Sequence, residues 1–309
     1  MINIQENILL AKYTTFRIGG PAKYFVEASS KAELMKALEY AKKNNLEFFV
    51  MGGGSNLLVS DKGFNGLAIK IKLNDIKIEE EKMEIGAGVF LAKVVRDSIE
   101  AGLAGMEWAS GIPGTLGGAI RGNAGAYGGE TKDVLESVRV LDTENMETKI
   151  YTKSECNFRY RHSMFKDNSK LIIVSAVLKL QKGNKEEIQK KMQEIISERI
   201  KKLPQGAPSA GSFFINPIVQ NENLIKEFEE EKNAKSKDGK LPAGWLIEKT
   251  DLKGKKIGGA IVNETQANYI LNTGNATAED VIILSSFVKQ QVRDKFGVEL
   301  KEEVQFVGF

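Results

Sequence analysis

Hydrophobic positions along this chain change period several times, and each change marks an element. Leu34, Leu38 and Ala41 recur at helical spacing behind Ser30-Lys31-Ala32-Glu33, which has the form of a capping box, so 31–43 is predicted to be helical. Phe48–Met51 is an apolar run of strand length that leads into a glycine turn. Leu67–Ile71 and Met83–Ile85 read as further strands, and Phe90–Ala101 as a helix with Gly102 as its left-handed terminator. Val138–Leu141 and Leu171–Leu180 are strand-like. A helix starting at Asn184-Lys185-Glu186-Glu187 puts Ile188, Met192, Ile195, Ile196 and Ile200 on one face and stops at Pro204. Thr277 caps an amphipathic helix reaching Phe296, with Val281, Leu284, Val288 and Val292 inward and Gly297 after it. The chain closes on a strand, Glu303–Val307, whose alternation sets Val304 and Phe306 on one face and Glu303 and Gln305 on the other. The class is therefore α+β. Residues 201–210, KKLPQGAPSA, have the composition of a linker and place a boundary near 201, while the charged stretch from Ile218 to Lys240 shows no usable pattern.

Glycine is the second signal. Ten of the chain's 30 glycines fall in the 28 residues from Gly102 to Gly129, almost uninterrupted by charge, which does not suit a solvated linker. Glycine costs about 0.5–1 kcal/mol relative to alanine inside regular structure, so such density implies positive φ angles or a close approach to the backbone. A second turn, Gly52-Gly53-Gly54-Ser55-Asn56, follows the Phe48–Met51 strand. A strand, a glycine turn, a hydroxyl and an amide in succession can present backbone N–H groups to a phosphate. Neither turn continues into the Gly-Lys-Ser/Thr of a P-loop, and Gly86-Ala87-Gly88 lacks the third glycine of a dinucleotide fingerprint. Two readings stand: a pair of backbone cradles for one extended pyrophosphate ligand, or tight turns in a loop-rich domain.

Composition removes several function classes. At 309 residues there is room for two or three packed domains, and 42% hydrophobic with 28% charged residues is ordinary for a globular protein. A net charge of +3 with both signs interspersed gives no basic arm for nucleic acid. No apolar run approaches the ~18 residues of a membrane span, and the N-terminus lacks the basic region and cleavage site of a signal peptide. A single cysteine, Cys156, excludes an intrachain disulfide and fits a reducing cytoplasm. A single histidine, His162, excludes a His-rich metal site, and no metal is expected.

Other candidates each have a plain alternative. Ser212, in Gly211-Ser212-Phe213-Phe214, is either a proton donor in an apolar pocket or a turn serine; one histidine makes a hydrolase triad improbable. Arg161, in Tyr160-Arg161-His162-Ser163, suits a carboxylate or phosphate, or is a surface arginine. Glu303 is aimed into a cleft by strand alternation, or is solvated. Lys202 and Lys253 are by default surface lysines.

Taken in order, IPGTLGGAIRGNAGAYGGE, YRHSMF, GSFFINP, LPAGWLIEKTDLKGKKIGGA, QANYILN and EEVQF resemble the UDP-N-acetylenolpyruvoylglucosamine reductases, the MurB family, over Tyr13 to Phe309. YTTFRIGG, GGGSN and the GIPGTLGG tract are shared more broadly with FAD enzymes of the vanillyl-alcohol-oxidase type, and GSFF, LKG and EV narrow the resemblance. It implies a two-part FAD-binding module, residues 1–70 and 71–200, with a C-terminal α+β domain, 201–309, for a UDP-sugar. By the same resemblance FAD is held noncovalently by Gly52, Gly53, Gly54, Ser55 and Asn56 and by Gly111, Ile112, Pro113, Gly114, Thr115, Gly117, Gly118 and Ala119. Ser212 matches the serine that protonates the substrate, and Arg161 and Glu303 the pair that stabilises the enolic intermediate. Asn216, Lys253 and Gln266, with Lys202, match positions that hold the UDP-sugar. NADPH is the implied reductant, and a cytoplasmic monomer acting on a small molecule is the expectation. Some relatives carry a loop with a tyrosine that folds over the substrate; Leu180–Lys202 is a helical pattern without tyrosine. Two rivals remain: another FAD oxidoreductase acting on an alcohol or hydroxy acid, and a nucleotide-binding protein without chemistry. Covalent flavin would have to use His162 or Cys156, neither of which lies in the glycine loops.

Overall fold

The computed structural model describes residues 2–202 and 208–309. Contacts divide the chain into two units. The first comprises the chain up to Ile8, Ala22–Gly54 and Phe64–Lys201; the second comprises Leu9–Pro21, Ser55–Gly63 and the chain from Lys202 onward.

In the first unit, Pro21–Ala28 and Phe48–Met51 both run parallel to Phe64–Ile71, with Phe25 opposite Ala68 and Phe48 opposite Leu67. Gln5–Leu9 completes this four-stranded sheet at one edge. Parallel neighbours need a crossover, and the helix Lys31–Lys43 supplies it. Ser30 caps the helix by accepting from Glu33 N at 3.2 Å, and Leu34, Ala37, Leu38 and Ala41 are buried. A second, antiparallel sheet runs Thr148–Thr152, Leu135–Asp142, Leu171–Lys179, Lys82–Gly86, Ile76–Glu79. Val26, Leu67 and Ile69 of the first sheet share one hydrophobic core with Met83, Ile85, Val138 and Val140 of the second. The helix Leu91–Glu100 adds Val94, Val95 and Ile99 to that core and ends at Gly102, φ +68°. The helix Lys185–Lys202 buries Ile188 and Ile195, but Ile200 is exposed, so the apolar face expected from the periodicity stops one turn early.

In the second unit, the helix Ala278–Phe296 buries Val281, Leu284, Val288 and Val292 and packs on a small sheet of Lys256–Ile257, Ala260–Val262 and Ile270–Asn272. Thr277 and Asp280 close a reciprocal capping box: Asp280 N donates to Thr277 Oγ1 and Thr277 N to Asp280 Oδ2, both at 3.0 Å. The two N-terminal segments of this unit are bound by specific contacts. Asp61 accepts from Ala278 N at 2.9 Å, Asn272 Nδ2 donates to Phe16 O at 3.1 Å, and Leu57–Val59 pairs parallel with Gln305–Val307.

Two expectations change here. The terminal strand is only Gln305–Val307; Val304 sits in a bend before it, so Val304 is buried while Phe306 is 44% exposed, and the alternation from Glu303 does not hold. Within the charged stretch lies a helix, Glu222–Lys232, capped by Asn221 and anchored by Leu224 and Phe228. Two buried residues one turn apart suffice to seat it. The linker residues 203–207 lie outside the described residues.

Candidate active site

The two glycine turns approach each other within the first unit. A Cβ on Gly52 would lie 2.3 Å from Thr115 Oγ1, and one on Gly53 would lie 3.0 Å from Gly114 Cα. Side chains at these positions are incompatible with the approach. Gly54, Gly111 and Gly114 have φ of +65°, +72° and +116°, which an L-residue rarely adopts. Phe90 and Leu91 hold the second turn: the Phe90 backbone bridges Thr115, and Leu91 N donates to Gly114 O at 3.0 Å.

Three side-chain atoms of the same tract, Trp108 Nε1, Ser110 Oγ and Thr115 Oγ1, are buried and have no hydrogen-bond partner among the described residues. Orphaned buried polar groups are costly in a native fold, about 1–3 kcal/mol each. The short helix Leu116–Gly122 begins at Thr115 with no side-chain cap. Close-packed glycine turns with unanswered donors fit a ligand that brings acceptors of its own, as the pyrophosphate and ribityl oxygens of FAD do.

Not every residue of the tract offers its N–H. Ile112 N donates to Ala109 O, Leu116 N to Val89 O, Gly117 N to Ala87 O and Ala119 N to Thr115 O, at 2.9–3.0 Å. Gly117 is needed for packing: its Cβ would sit 2.9 Å from Ala87 Cβ. Beside Gly118 only Thr115 Oγ1 comes near, at 3.8 Å.

Arg161 also belongs to the first unit. Arg159 and His162 exchange backbone hydrogen bonds at 3.0 and 3.1 Å, which leaves Tyr160 and Arg161 at the tip of a tight turn with Arg161 at φ +55°. Its guanidinium donates from Nη2 to Gly125 O at 2.8 Å and lies 5.2 Å from the Tyr160 ring centre. Burial acts to raise the Glu130 carboxyl, but hydrogen bonds from Lys132 and Asn123, with the charges of Lys132 and Arg161, hold it below its ordinary pKa. Burial alone lowers the Arg121 guanidinium.

Ser212 and Glu303 are carried on paired backbone in the second unit. Glu303 N donates to Phe213 O at 2.8 Å, Ile215 N donates to Lys301 O at 2.9 Å, and Phe214 bridges Glu302. Ser212 itself bridges Tyr269. Gly211, at φ +79°, turns the chain into this segment, and both Ser212 and Glu303 are half-buried. Asn268 locks the segment. It is 6% exposed, its Oδ1 accepts from Phe214 N at 2.9 Å, its Nδ2 donates to Phe214 O at 2.8 Å, and its carbonyl accepts from Phe213 N at 2.7 Å. Sequence reading passed over Asn268; the available signal was an amide between Ala267 and Tyr269 in an otherwise apolar strand approach. Asn56, in the same unit, donates from Nδ2 to Glu303 O at 3.1 Å.

The remaining candidates surround one short helix, Ala243–Glu248. Asn216 Oδ1 accepts from Ala243 N at 3.0 Å, Gln266 Oε1 lies 2.6 Å from where a Gly244 Cβ would be, and Lys253 pairs with Glu248 at 2.5 Å. The structure thus gathers Asn216, Gln266 and Asn268 near Gly244, and Lys253 at the helix's far end. The backbone of Lys202 ends its helix; its side chain lies outside the described residues. Cys156 is buried, donates to Thr152 O and has its thiol pushed up by burial to about 12. Among the described residues no helix is long and apolar enough to cross a membrane, and no cluster of three or more His, Cys, Asp or Glu is arranged to hold a metal.

Residues 22–148 match the model of an FAD binding domain, and residues 203–307 match the C-terminal domain of UDP-N-acetylenolpyruvoylglucosamine reductase. The UDP-N-acetylenolpyruvoylglucosamine reductase of Caldanaerobacter subterraneus subsp. tengcongensis is 41% identical over 300 residues, 97% of this chain and 92% of the relative. That of Carboxydothermus hydrogenoformans is 40% identical over 307 residues, 99% of this chain and 94% of the relative. The crystal structure of the Thermus caldophilus enzyme superposes with a TM-score of 0.80 at 31% identity, covering all of both chains. With both of these domain matches and similarity along its whole length, the chain belongs to the UDP-N-acetylenolpyruvoylglucosamine reductase family of FAD oxidoreductases.

Proposed function

We propose that the protein reduces the enolpyruvyl ether of UDP-N-acetylglucosamine enolpyruvate to UDP-N-acetylmuramate, with NADPH as reductant. The observation that carries this reading is the Ser212–Glu303 segment, locked by Asn268 and bonded at Glu303 O by Asn56. A serine hydroxyl is a poor acid in water, but in a dry site, positioned opposite a carbanion, it can serve.

In this reading FAD, when bound noncovalently, would supply hydride chemistry directed at the methylene carbon of the substrate. Negative charge then develops on the adjacent carbon and its carboxylate. Arg161, preset by its turn, stabilises that charge, Glu303 is its partner at the enolic intermediate by family match, and Ser212 delivers the proton to the carbon. Asn216, Lys253, Gln266 and Lys202 hold the UDP-sugar. Gly52–Asn56 and the Gly111–Ala119 loop hold FAD through Thr115, Ser110 and those N–H groups not already taken. Cys156, a buried thiol with pKa about 12, is a poor candidate for a covalent flavin link. Residues 1–70 and 71–200 then serve FAD, and 201–309 serves the sugar nucleotide. Family membership supports the wider assignment: a cytoplasmic monomer supplying peptidoglycan precursor, and through it cell shape and division.

The test is the visible spectrum. Purified protein should be yellow, bleach with NADPH and recover colour on adding the enolpyruvyl sugar nucleotide. Recovery with an alcohol-derived carbonyl instead would favour the other class of FAD oxidoreductase.

A further inference from the structure

Asn123 lies in the glycine tract, between Gly122 and Ala124. It is fully buried and left-handed, at φ 43°, as the C-terminal cap of the helix Leu116–Gly122. A buried amide must satisfy both its ends. Here Nδ2 donates to Arg159 O and to Glu130 Oε2, each at 3.0 Å, and Oδ1 accepts from Lys132 N at 3.1 Å. One side chain therefore bolts together three segments: the helix that begins at Thr115, the hairpin Gly125–Ala126/Gly129–Glu130, and the turn that carries Arg161.

The hairpin matters because it also holds the guanidinium. Gly125 is register partner of Glu130, and its carbonyl accepts from Arg161 Nη2 at 2.8 Å. A Cβ on Gly125 would meet Glu130 Cγ at 2.8 Å and Arg161 Nη1 at 3.4 Å, so the Glu130 stem and the guanidinium flank one glycine. Lys166 Nζ adds a bond to Arg161 O at 2.8 Å. Arg161 sits at a positive φ that a non-glycine residue keeps only where its surroundings over-determine it. Asn123 contributes to both ends of that constraint: the turn through Arg159 O, the hairpin through Glu130.

We propose that Asn123, with Glu130 as its partner, is the positioning residue for Arg161, fixing the guanidinium relative to the glycine-tract helix. The inference rests on the reading of Arg161 as the group that stabilises charge on the substrate. It does not make Asn123 catalytic, since its side chain is spent on protein groups.

The test uses the holoenzyme and separates the half-reactions. Asn123→Gly removes the bolt while retaining a residue at ease with positive φ. It should keep FAD, be reduced by NADPH at near the wild-type rate, and be reoxidised by the enolpyruvyl sugar nucleotide about 10–100-fold more slowly, the scale expected for a catalytic group misplaced by ~1 Å. Combined with Arg161→Lys, it should add little to the loss from Arg161→Lys alone, because both changes remove the same interaction. A general structural defect would instead slow both half-reactions and multiply with Arg161→Lys. Reoxidation within about twofold of wild type, or multiplicative losses, overturns the proposal. If Asn123→Gly yields no FAD-loaded protein, Glu130→Ala, which removes the acceptor of Asn123 Nδ2, decides: slower reoxidation that does not multiply with Arg161→Lys upholds the proposal, and unchanged reoxidation overturns it. A wild-type protein that bleaches with NADPH but never recovers with the sugar nucleotide removes the underlying reading, and this proposal with it.

Discussion

Replacing Asn268 tests how the Ser212 segment is held. The side chain makes two hydrogen bonds to the backbone of Phe214, at 2.9 and 2.8 Å, and is 6% exposed. Asn268→Ala leaves a buried N–H and a buried C=O unpaired, at about 1–3 kcal/mol each, so a loss of about 2–6 kcal/mol is expected. Urea unfolding should show this as a lower midpoint with unchanged slope. Asn268→Asp sharpens the test. Its acceptor oxygen still meets Phe214 N, but an ionised carboxylate would place a second oxygen against Phe214 O, where Nδ2 now donates. Burial and that carbonyl both raise the pKa of the new carboxyl in the folded state. A raised folded pKa means the protonated form is favoured on folding, so stability should recover as pH falls through the folded value toward the ordinary carboxylate range. Near-wild-type stability of Asn268→Ala, or an Asn268→Asp variant weakened rather than rescued between pH 7 and about pH 5, would refute the lock.

Other consequences follow from single contacts. Gly117→Val should drive its branched side chain into Ala87, 2.9 Å from the glycine's built Cβ, and lower FAD occupancy measured by released flavin fluorescence. Glu303→Gln should slow flavin reoxidation while leaving UDP binding by calorimetry largely intact, since its backbone bond to Phe213 O persists. The Asp280 carboxyl is held below its ordinary pKa by the Gly259 and Thr277 N–H groups. Its contribution to stability is therefore complete above the ordinary carboxylate range and is lost as pH falls below it, and Asp280→Asn should flatten that part of an acid-unfolding curve.

Long periodic elements were legible in the sequence. Lys31–Lys43 and Ala278–Phe296 carry a side-chain cap at the start and a sustained apolar stripe, and both form where the pattern puts them. The helix Glu222–Lys232 was not, because Leu224 and Phe228 are its only buried anchors amid charge. Ile200 and the Glu303–Val304 bend show the limit of periodicity, which describes a face but not where the neighbouring surface ends. Contiguous division of the chain could not show that Leu9–Pro21 and Ser55–Gly63 join the second unit, since long-range bonds such as Asp61 to Ala278 decide it. In the candidate site, glycine density pointed to the paired turns. The amides that hold it, Asn123 and Asn268, left no periodic trace, because their partners are backbone groups distant in sequence.

The most direct measurement is stopped-flow absorbance of both flavin half-reactions in Ser212→Ala. Reduction by NADPH needs no proton from a protein hydroxyl and should proceed at close to the wild-type rate. Recovery of colour with UDP-N-acetylglucosamine enolpyruvate should slow by about 10²–10⁴-fold, the worth of one general acid, with Ser212→Cys less affected. Equal slowing of both half-reactions, or no slowing of either, would contradict the assignment of Ser212 as proton donor.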